Sequence, residues 1–227
     1  MLKINGQNFK LAGFAGRINA HGDYDYSLLI FHQMQNQPST LTNLYRRWWG
    51  VVLLYSGVLW LSFQLLRLSW PERLAQQWAL LAAPVMAYGL WLCRSNLDQN
   101  HRPDEATLLP ALGAGNTLTL LRGLALALLA GFLFLPRPMY GWLAWAPAIL
   151  YTVLAILDYL DGYVARITNQ ATRLGEMLDG AFDALGLLVA VALAVWYGQL
   201  PAWYMLVGLS RYLFAFGLWR RRRHGQP

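Results

Sequence analysis

Charge is what this sequence most lacks. Asp, Glu, Lys and Arg make up 13% of its 227 residues, about half the roughly 25% usual in a soluble domain. Lysine occurs only as Lys3 and Lys10, so the formal net charge of +7 rests on arginine. Those arginines stand at the ends of apolar runs, and no basic face is interleaved with exposed aromatics. A nucleic-acid partner is therefore not expected. Cysteine is nearly absent as well. The lone Cys93 excludes an intrachain disulfide and any cysteine-based metal site. The first 45 residues offer no continuous apolar stretch of the kind a cleavable secretion signal needs.

What is present is hydrophobic: 57% of residues are apolar and 11 are Trp. Apolar runs near 48–66, 76–94, 114–135, 139–160, 180–198 and 201–219 are each long enough to cross ~30 Å of hydrocarbon. A bilayer offers the backbone no water, so each run is expected to be a helix. The predicted fold is an all-α integral membrane protein of about six transmembrane helices, with Pro147 kinking the fourth. It divides into a polar cytoplasmic N-terminal extension (1–45), a two-helix transmembrane leader (46–95), a cytoplasmic linker (96–110) and a four-helix unit (111–227). In the extension, His21, Asp23, Asp25 and His32 match no metal-ligand spacing and read as solvated. Arg46, Arg47, Arg94, Arg102, Arg166, Arg173 and Arg220 to Arg223 fall on one side of this arrangement, against Arg67, Arg73 and Arg137 on the other. That bias puts both termini in the cytoplasm. The Trp residues, Trp48, Trp49, Trp142, Trp145 and Trp203 among them, suit interfacial belts.

Four of the eight aspartates fall between positions 158 and 183, at the expected edges of two spans. Asp158 and Asp161 are three apart, and Asp179 and Asp183 four apart, so each pair shares one helix face. The segment between them is long enough to reverse direction, which lets two antiparallel helices present four carboxylates to one site. Unpaired at a lipid boundary, such a cluster is costly. Two divalent cations resolve the conflict, and oxygen-only ligands suit Mg²⁺ or Mn²⁺. A pair of such ions is a familiar clamp for phosphoryl chemistry. The plainer reading makes these residues solvated helix caps, but four at this spacing favour metal.

The run from Asp158 to Asp183, D-x-x-D-G-x-x-A-R-x8-G-x-x-x-D-x-x-x-D, resembles the signature of the CDP-alcohol phosphotransferases. Upstream, Asn116, Thr119 and Arg122 in N-T-L-T-L-L-R resemble the opening of that family's first core helix. The resemblance covers about residues 111 to 219. It implies transfer of a phosphatidyl group from a CDP-linked lipid donor such as CDP-diacylglycerol to an acceptor hydroxyl, with release of CMP, in phospholipid biosynthesis. Carried over by position, Asp158, Asp161, Asp179 and Asp183 would hold two Mg²⁺ or Mn²⁺ ions, and Asp183 would also be the general base. Gly162, Ala165, Arg166 and Gly175 would contact CDP, with Asn116 and Thr119 as further candidates. The glycines also fit helix ends, and Arg166 also fits a cytoplasmic anchor.

Arg211 stands near the middle of the last run, where a charge usually faces the bundle interior. It either binds an acceptor phosphate, pairs with an aspartate or snorkels to the interface. Arg122, nearer its helix start, reads first as structural. Arg173, Arg211 and Arg122 together tilt the acceptor from a small alcohol toward a phosphorylated polyol. The expected setting is a bacterial inner membrane with the site facing the cytoplasm, among membrane lipids, and a homodimer stays open. One feature departs from the family pattern. Four spans rather than six follow Asn116, which suggests either a shortened core or a leader pair in place of the last two helices. Two other functions compete: a metal-dependent lipid-diphosphate hydrolase and a divalent-cation carrier.

Overall fold

The computed structural model describes residues 2–4, 7–9, 26–105, 107–167 and 171–223, with side chains from residue 39 onward except 165, 166, 214–219 and 221–223. A small antiparallel hairpin, β1 (Leu2–Ile4) and β2 (Gln7–Phe9), pairs Lys3 with Asn8. Six helices follow: α1 (Tyr26–Arg67), α2 (Glu72–Ser95), α3 (Gly113–Ala130), α4 (Ala146–Ile167), α5 (Arg173–Trp196) and α6 (Met205–Arg223). Of the N-terminal polar residues, His21, Asp23 and Asp25 lie outside the described residues, and His32 is described in its backbone alone.

The chain is an all-α integral membrane protein in its architecture. Among the described residues, four helical segments are long and apolar enough to cross a bilayer: Ser39–Arg67, Gly113–Ala130, Ala146–Val164 and Arg173–Trp196. The other two expected spans are helices too, but their polar residues dilute them. Helix α2 carries Glu72, Arg73, Gln76 and Gln77 in its first turns and Arg94 in its last, while α6 carries Arg211 and a terminal arginine run. Large apolar side chains such as Leu53, Trp60, Trp91, Ile149 and Ile156 stand exposed around the bundle, the surface expected of a protein solvated by lipid.

Helix α4 begins seven residues later than the run 139–160 suggested. A short 3₁₀ turn, Trp142–Ala144, precedes it, entered through Gly141 at φ 65. Glycine takes that left-handed backbone without penalty. Pro147 therefore lies in the first turn of α4 rather than in its interior. There its missing N–H is one that would have had no helical partner anyway, so it starts the helix instead of kinking it. The shift has a consequence for the carboxylates: Asp158 and Asp161 lie well inside α4, more than a turn from its end.

The bundle is built around α3. Two thirds (67%) of that span is buried inside the protein, against 6% for α4. Its small residues explain the position, because Gly115, Gly123, Ala125, Ala127 and Ala130 let neighbouring backbones approach closely. Helix α3 packs on α2, α4 and α5, and α5 packs in turn on α6. The leader is tied to this centre by polar as well as apolar contacts. The hydroxyl of Tyr55 on α1 donates to the Leu120 carbonyl, and Trp48 donates to the Leu90 carbonyl at 2.9 Å.

One aromatic ring sets the rotation of α5. Phe182 is 2% exposed and rests on two glycines of other helices. A Cβ placed on Gly123 of α3 would meet its ring at 2.5 Å, and one on Gly89 of α2 at 3.1 Å. With Phe182 seated there, its helical neighbours Asp179 and Asp183 turn toward α3 and α4.

Candidate active site

On α3, Asn116, Thr119 and Arg122 recur at three-residue intervals and so share one face. That face meets the aspartate pairs of α4 and α5. At its deep end lies Arg122, 1% exposed and surrounded by all four carboxylates. Its Nη1 bonds Asp158 and stands 3.3 Å from Asp183 and 3.6 Å from Asp161. Its Nη2 donates to the Asp179 carboxylate at 2.6 Å and to the Asp179 carbonyl at 3.1 Å. A planar guanidinium has the forked donors this arrangement needs, where a lysine would supply one point charge.

The carboxylates differ in exposure. The side chains of Asp158, Asp179 and Asp183 are 53%, 46% and 42% exposed, while Asp161 is 7% exposed. The three open ones bring oxygens within 4.8 Å of one another, a hard-oxygen donor set of the kind Mg²⁺ and Mn²⁺ favour. The residues present thus fit a divalent cation. Asp161 instead faces inward, within 3.2 Å of the Thr119 hydroxyl, which also reaches the Gly115 carbonyl at 3.0 Å. On the far side, Arg211 of α6 reaches across α5 to within 3.8 Å of Asp183. It passes over Gly180, where a Cβ would meet its guanidinium at 3.1 Å.

Beside the carboxylates a cleft of about 130 Å³ is lined by Gly115, Asn116, Thr119, Asp161, Gly162, Ala171, Thr172, Gly175, Glu176 and Asp179. Its wall is tied together by side-chain hydrogen bonds. Thr172 caps α5 by accepting from the Gly175 N–H at 3.0 Å. Its hydroxyl donates to the Asn116 carbonyl at 3.0 Å, and the Asn116 amide donates to Asn100 at 2.9 Å. Gly175 has little room for a side chain, since a Cβ there would meet Asn116 Oδ1 at 2.5 Å.

The structure thus brings together the four aspartates with Arg122, Arg211, Asn116, Thr119, Gly162 and Gly175. Arg173 stays apart, half-exposed and 3.7 Å from Glu176. Glu176 itself lines the cleft. The side chains of Ala165 and Arg166 lie outside the described residues, while their backbone continues α4. The parts played by three residues were not legible beforehand. Arg122 reads from sequence as structural, though its place two steps along the Asn116–Thr119 face was a usable signal. Thr172 is the cap residue opening an apolar helix, and Asn100 hides in a polar linker.

Comparison with known proteins gives residues 113–226 as a match to the family described as CDP-alcohol phosphatidyltransferase. A CDP-diacylglycerol–glycerol-3-phosphate 3-phosphatidyltransferase of Cereibacter sphaeroides is 35% identical over 107 residues, covering 45% of this chain and 47% of that protein. A cardiolipin synthase (CMP-forming) of Streptomyces coelicolor is 40% identical over 120 residues, covering 48% and 54%. The Escherichia coli CDP-diacylglycerol–glycerol-3-phosphate 3-phosphatidyltransferase is 33% identical over 90 residues, covering 37% and 48%. The chain spans about half the length of the curated relatives it matches. No solved structure matches.

Proposed function

Because the chain belongs to the CDP-alcohol phosphatidyltransferase family, we propose that it moves a phosphatidyl group from a CDP-linked lipid, such as CDP-diacylglycerol, to an acceptor hydroxyl and releases CMP. The observation that carries this reading is the meeting of Asp158, Asp179 and Asp183 beside a cleft walled by Asn116, Thr119, Gly162 and Gly175. The cleft takes the CMP portion of the donor, with its diphosphate lying toward the aspartates. Two Mg²⁺ or Mn²⁺ ions at the aspartates would neutralise the diphosphate and make CMP a better leaving group. Charge supports two ions rather than one. Four carboxylates with Arg122 and Arg211 carry two net negative charges. Two divalent cations reverse this to two positive, the complement of a diphosphate diester.

Asp183 accepts the proton of the acceptor hydroxyl. The freed oxygen bonds to the lipid-bearing phosphorus, the bridging P–O bond breaks, and its electron pair leaves with CMP. Asp183 is the aspartate beside Arg211, which supports a phosphorylated acceptor held from the α6 side. A phosphorylated polyol such as glycerol 3-phosphate fits, as two of the relatives' names suggest. The Streptomyces relative makes a second lipid the other acceptor to test. Arg122 favours transfer over cation carriage, since a buried positive charge under the carboxylates obstructs a cation path. Arg173 opens α5 at the end that carries the site, and its N–H donates to the carbonyl of His101, next to Arg102 in the linker, which supports a cytoplasmic orientation.

The test is CMP release from CDP-diacylglycerol by the purified chain, with glycerol 3-phosphate, phosphatidylglycerol or water as acceptor and Mg²⁺, Mn²⁺ or EDTA. Release that needs metal and one organic acceptor, and disappears in Asp183→Asn, supports the proposal. Release with water alone makes the protein a hydrolase, and cation flux in proteoliposomes without CMP release makes it a carrier.

A further inference from the structure

The polar wall of the cleft continues beyond the family region into the linker, and its direction is set from both ends. Asn100 precedes the matched residues 113–226, is 0% exposed, and lies just past the 3₁₀ turn Leu97–Gln99. Its Nδ2 donates to the carbonyls of Leu109 at 3.1 Å and Ala111 at 2.9 Å. Carbonyls only accept, so both Nδ2 hydrogens are committed there and Oδ1 must face Asn116. Oδ1 takes one hydrogen of the Asn116 amide at 2.9 Å. Asn116 Oδ1 then faces Thr172, whose single hydroxyl hydrogen it accepts at 3.0 Å. The Thr172 lone pair, finally, is engaged by the Gly175 N–H. With backbone carbonyls at one end and a backbone N–H at the other, neither asparagine can flip without setting oxygen against oxygen.

This order determines what the cleft offers. Asn116 lines it with its carbonyl engaged by Thr172 and one amide hydrogen engaged by Asn100. The remaining lone pair of its Oδ1 is packed against Gly175, where a Cβ would come within 2.5 Å, so what it has left to present is the second Nδ2 hydrogen. We propose that Asn100 is a positioning residue for nucleotide binding: it holds Asn116 as a donor to a lone pair of the bound nucleotide, such as a cytosine or ribose oxygen. The linker would thereby take part in donor recognition without touching the donor. The inference rests on the assignment of this cleft to the nucleotide.

The experiment measures CDP affinity and Mn²⁺ affinity separately, by calorimetry on the detergent-solubilised full chain, for wild type, Asn100→Ala, Asn116→Ala and the double variant. Loss of one oriented hydrogen bond should weaken CDP binding about tenfold in Asn100→Ala, with Mn²⁺ affinity unchanged. The double variant should bind CDP no more weakly than Asn116→Ala, because Asn100 acts through Asn116. Should Asn100→Ala not fold, Thr172→Val breaks the same relay from the α5 end and carries the same expectation. CDP affinity retained in the single variant, additive losses in the double, or a parallel fall in Mn²⁺ affinity would each overturn the proposal. Wild-type protein that binds Mn²⁺ but no CDP would instead remove the nucleotide assignment of the cleft, and this inference with it.

Discussion

Arg122 is the residue on which the candidate site depends most. Four carboxylates converge on its guanidinium, and removing it leaves them to repel one another close to lipid. Breaking a buried ion pair costs about 3–5 kcal/mol. Three of these four partners are half-exposed, so water moderates the loss and Arg122→Ala should cost about 2–3 kcal/mol. Thermal unfolding in detergent with EDTA measures it, and added Mg²⁺ should recover part of the loss. An Arg122→Ala protein that melts with wild type would refute the central role given to this side chain. Arg211 makes a different contribution. Its contact with Asp183 is long and half-exposed, so Arg211→Ala should leave stability nearly unchanged. With glycerol 3-phosphate as acceptor, the acceptor KM should rise about tenfold as a charge-assisted contact is lost, while CDP affinity stays the same.

Much of this scale was legible in the sequence. The aspartate pairs announce themselves by three- and four-residue spacing, and that spacing places each pair on one helix face in the structure. The role of Arg122 was not legible, because its partners lie 36 and 57 residues away for Asp158 and Asp179. Its place on the Asn116–Thr119 face was the one local signal, and that alone does not distinguish a buried counter-ion from an interfacial arginine. Asn100 was hidden for the same reason: its importance lies in carbonyls and an amide that meet only in three dimensions.

At the scale of elements, helix contacts are governed by what is small. Gly123→Ala puts a methyl group 2.5 Å from the Phe182 ring, too close for either helix to ignore. The expected cost is about 1–3 kcal/mol, and the displaced α5 should lower CMP release at saturating substrate. Phe182→Leu in the same chain should restore part of the melting temperature, since a smaller side chain leaves room. Sequence periodicity located these six helices but misplaced three of their starts: α1 begins at Tyr26, inside the expected polar extension, and α5 at Arg173, because polar residues open both helices, while α4 starts late because the apolar run 139–160 also contains the connection before it. Gly141 and Pro147 mark the true boundary, one as a turn residue and the other as a first-turn proline. The polar residues of α2 and α6 were visible too, yet a run of apolar letters says little about whether a helix meets lipid or protein.

For the molecule as a whole, the arginine distribution and the placement of the site make one prediction about sidedness. Asp104 lies in the linker beside the site, and Tyr140, 89% exposed, lies in the connection at the opposite end. Cys93 is buried, so Cys93→Ser provides a background for labelling. In sealed right-side-out vesicles of the host membrane that holds the protein, an impermeant maleimide should label Tyr140→Cys and spare Asp104→Cys until the vesicles are opened. The reverse pattern would invert the topology and move the site to the other face.

The seat of Phe182 also gives the protein a birth order. Gly89 and Gly123, which form that seat, both leave the ribosome before the ring that fills it. Synthesis runs from the N-terminal end, so α2 and α3 together form a seat that is made before the α5 ring that fills it. Only when the ring is in place do Asp179 and Asp183 acquire their heading toward Asp158. A newly made protein of this kind passes through most of its insertion with its acidic half-sites unjoined, and they meet in one late step.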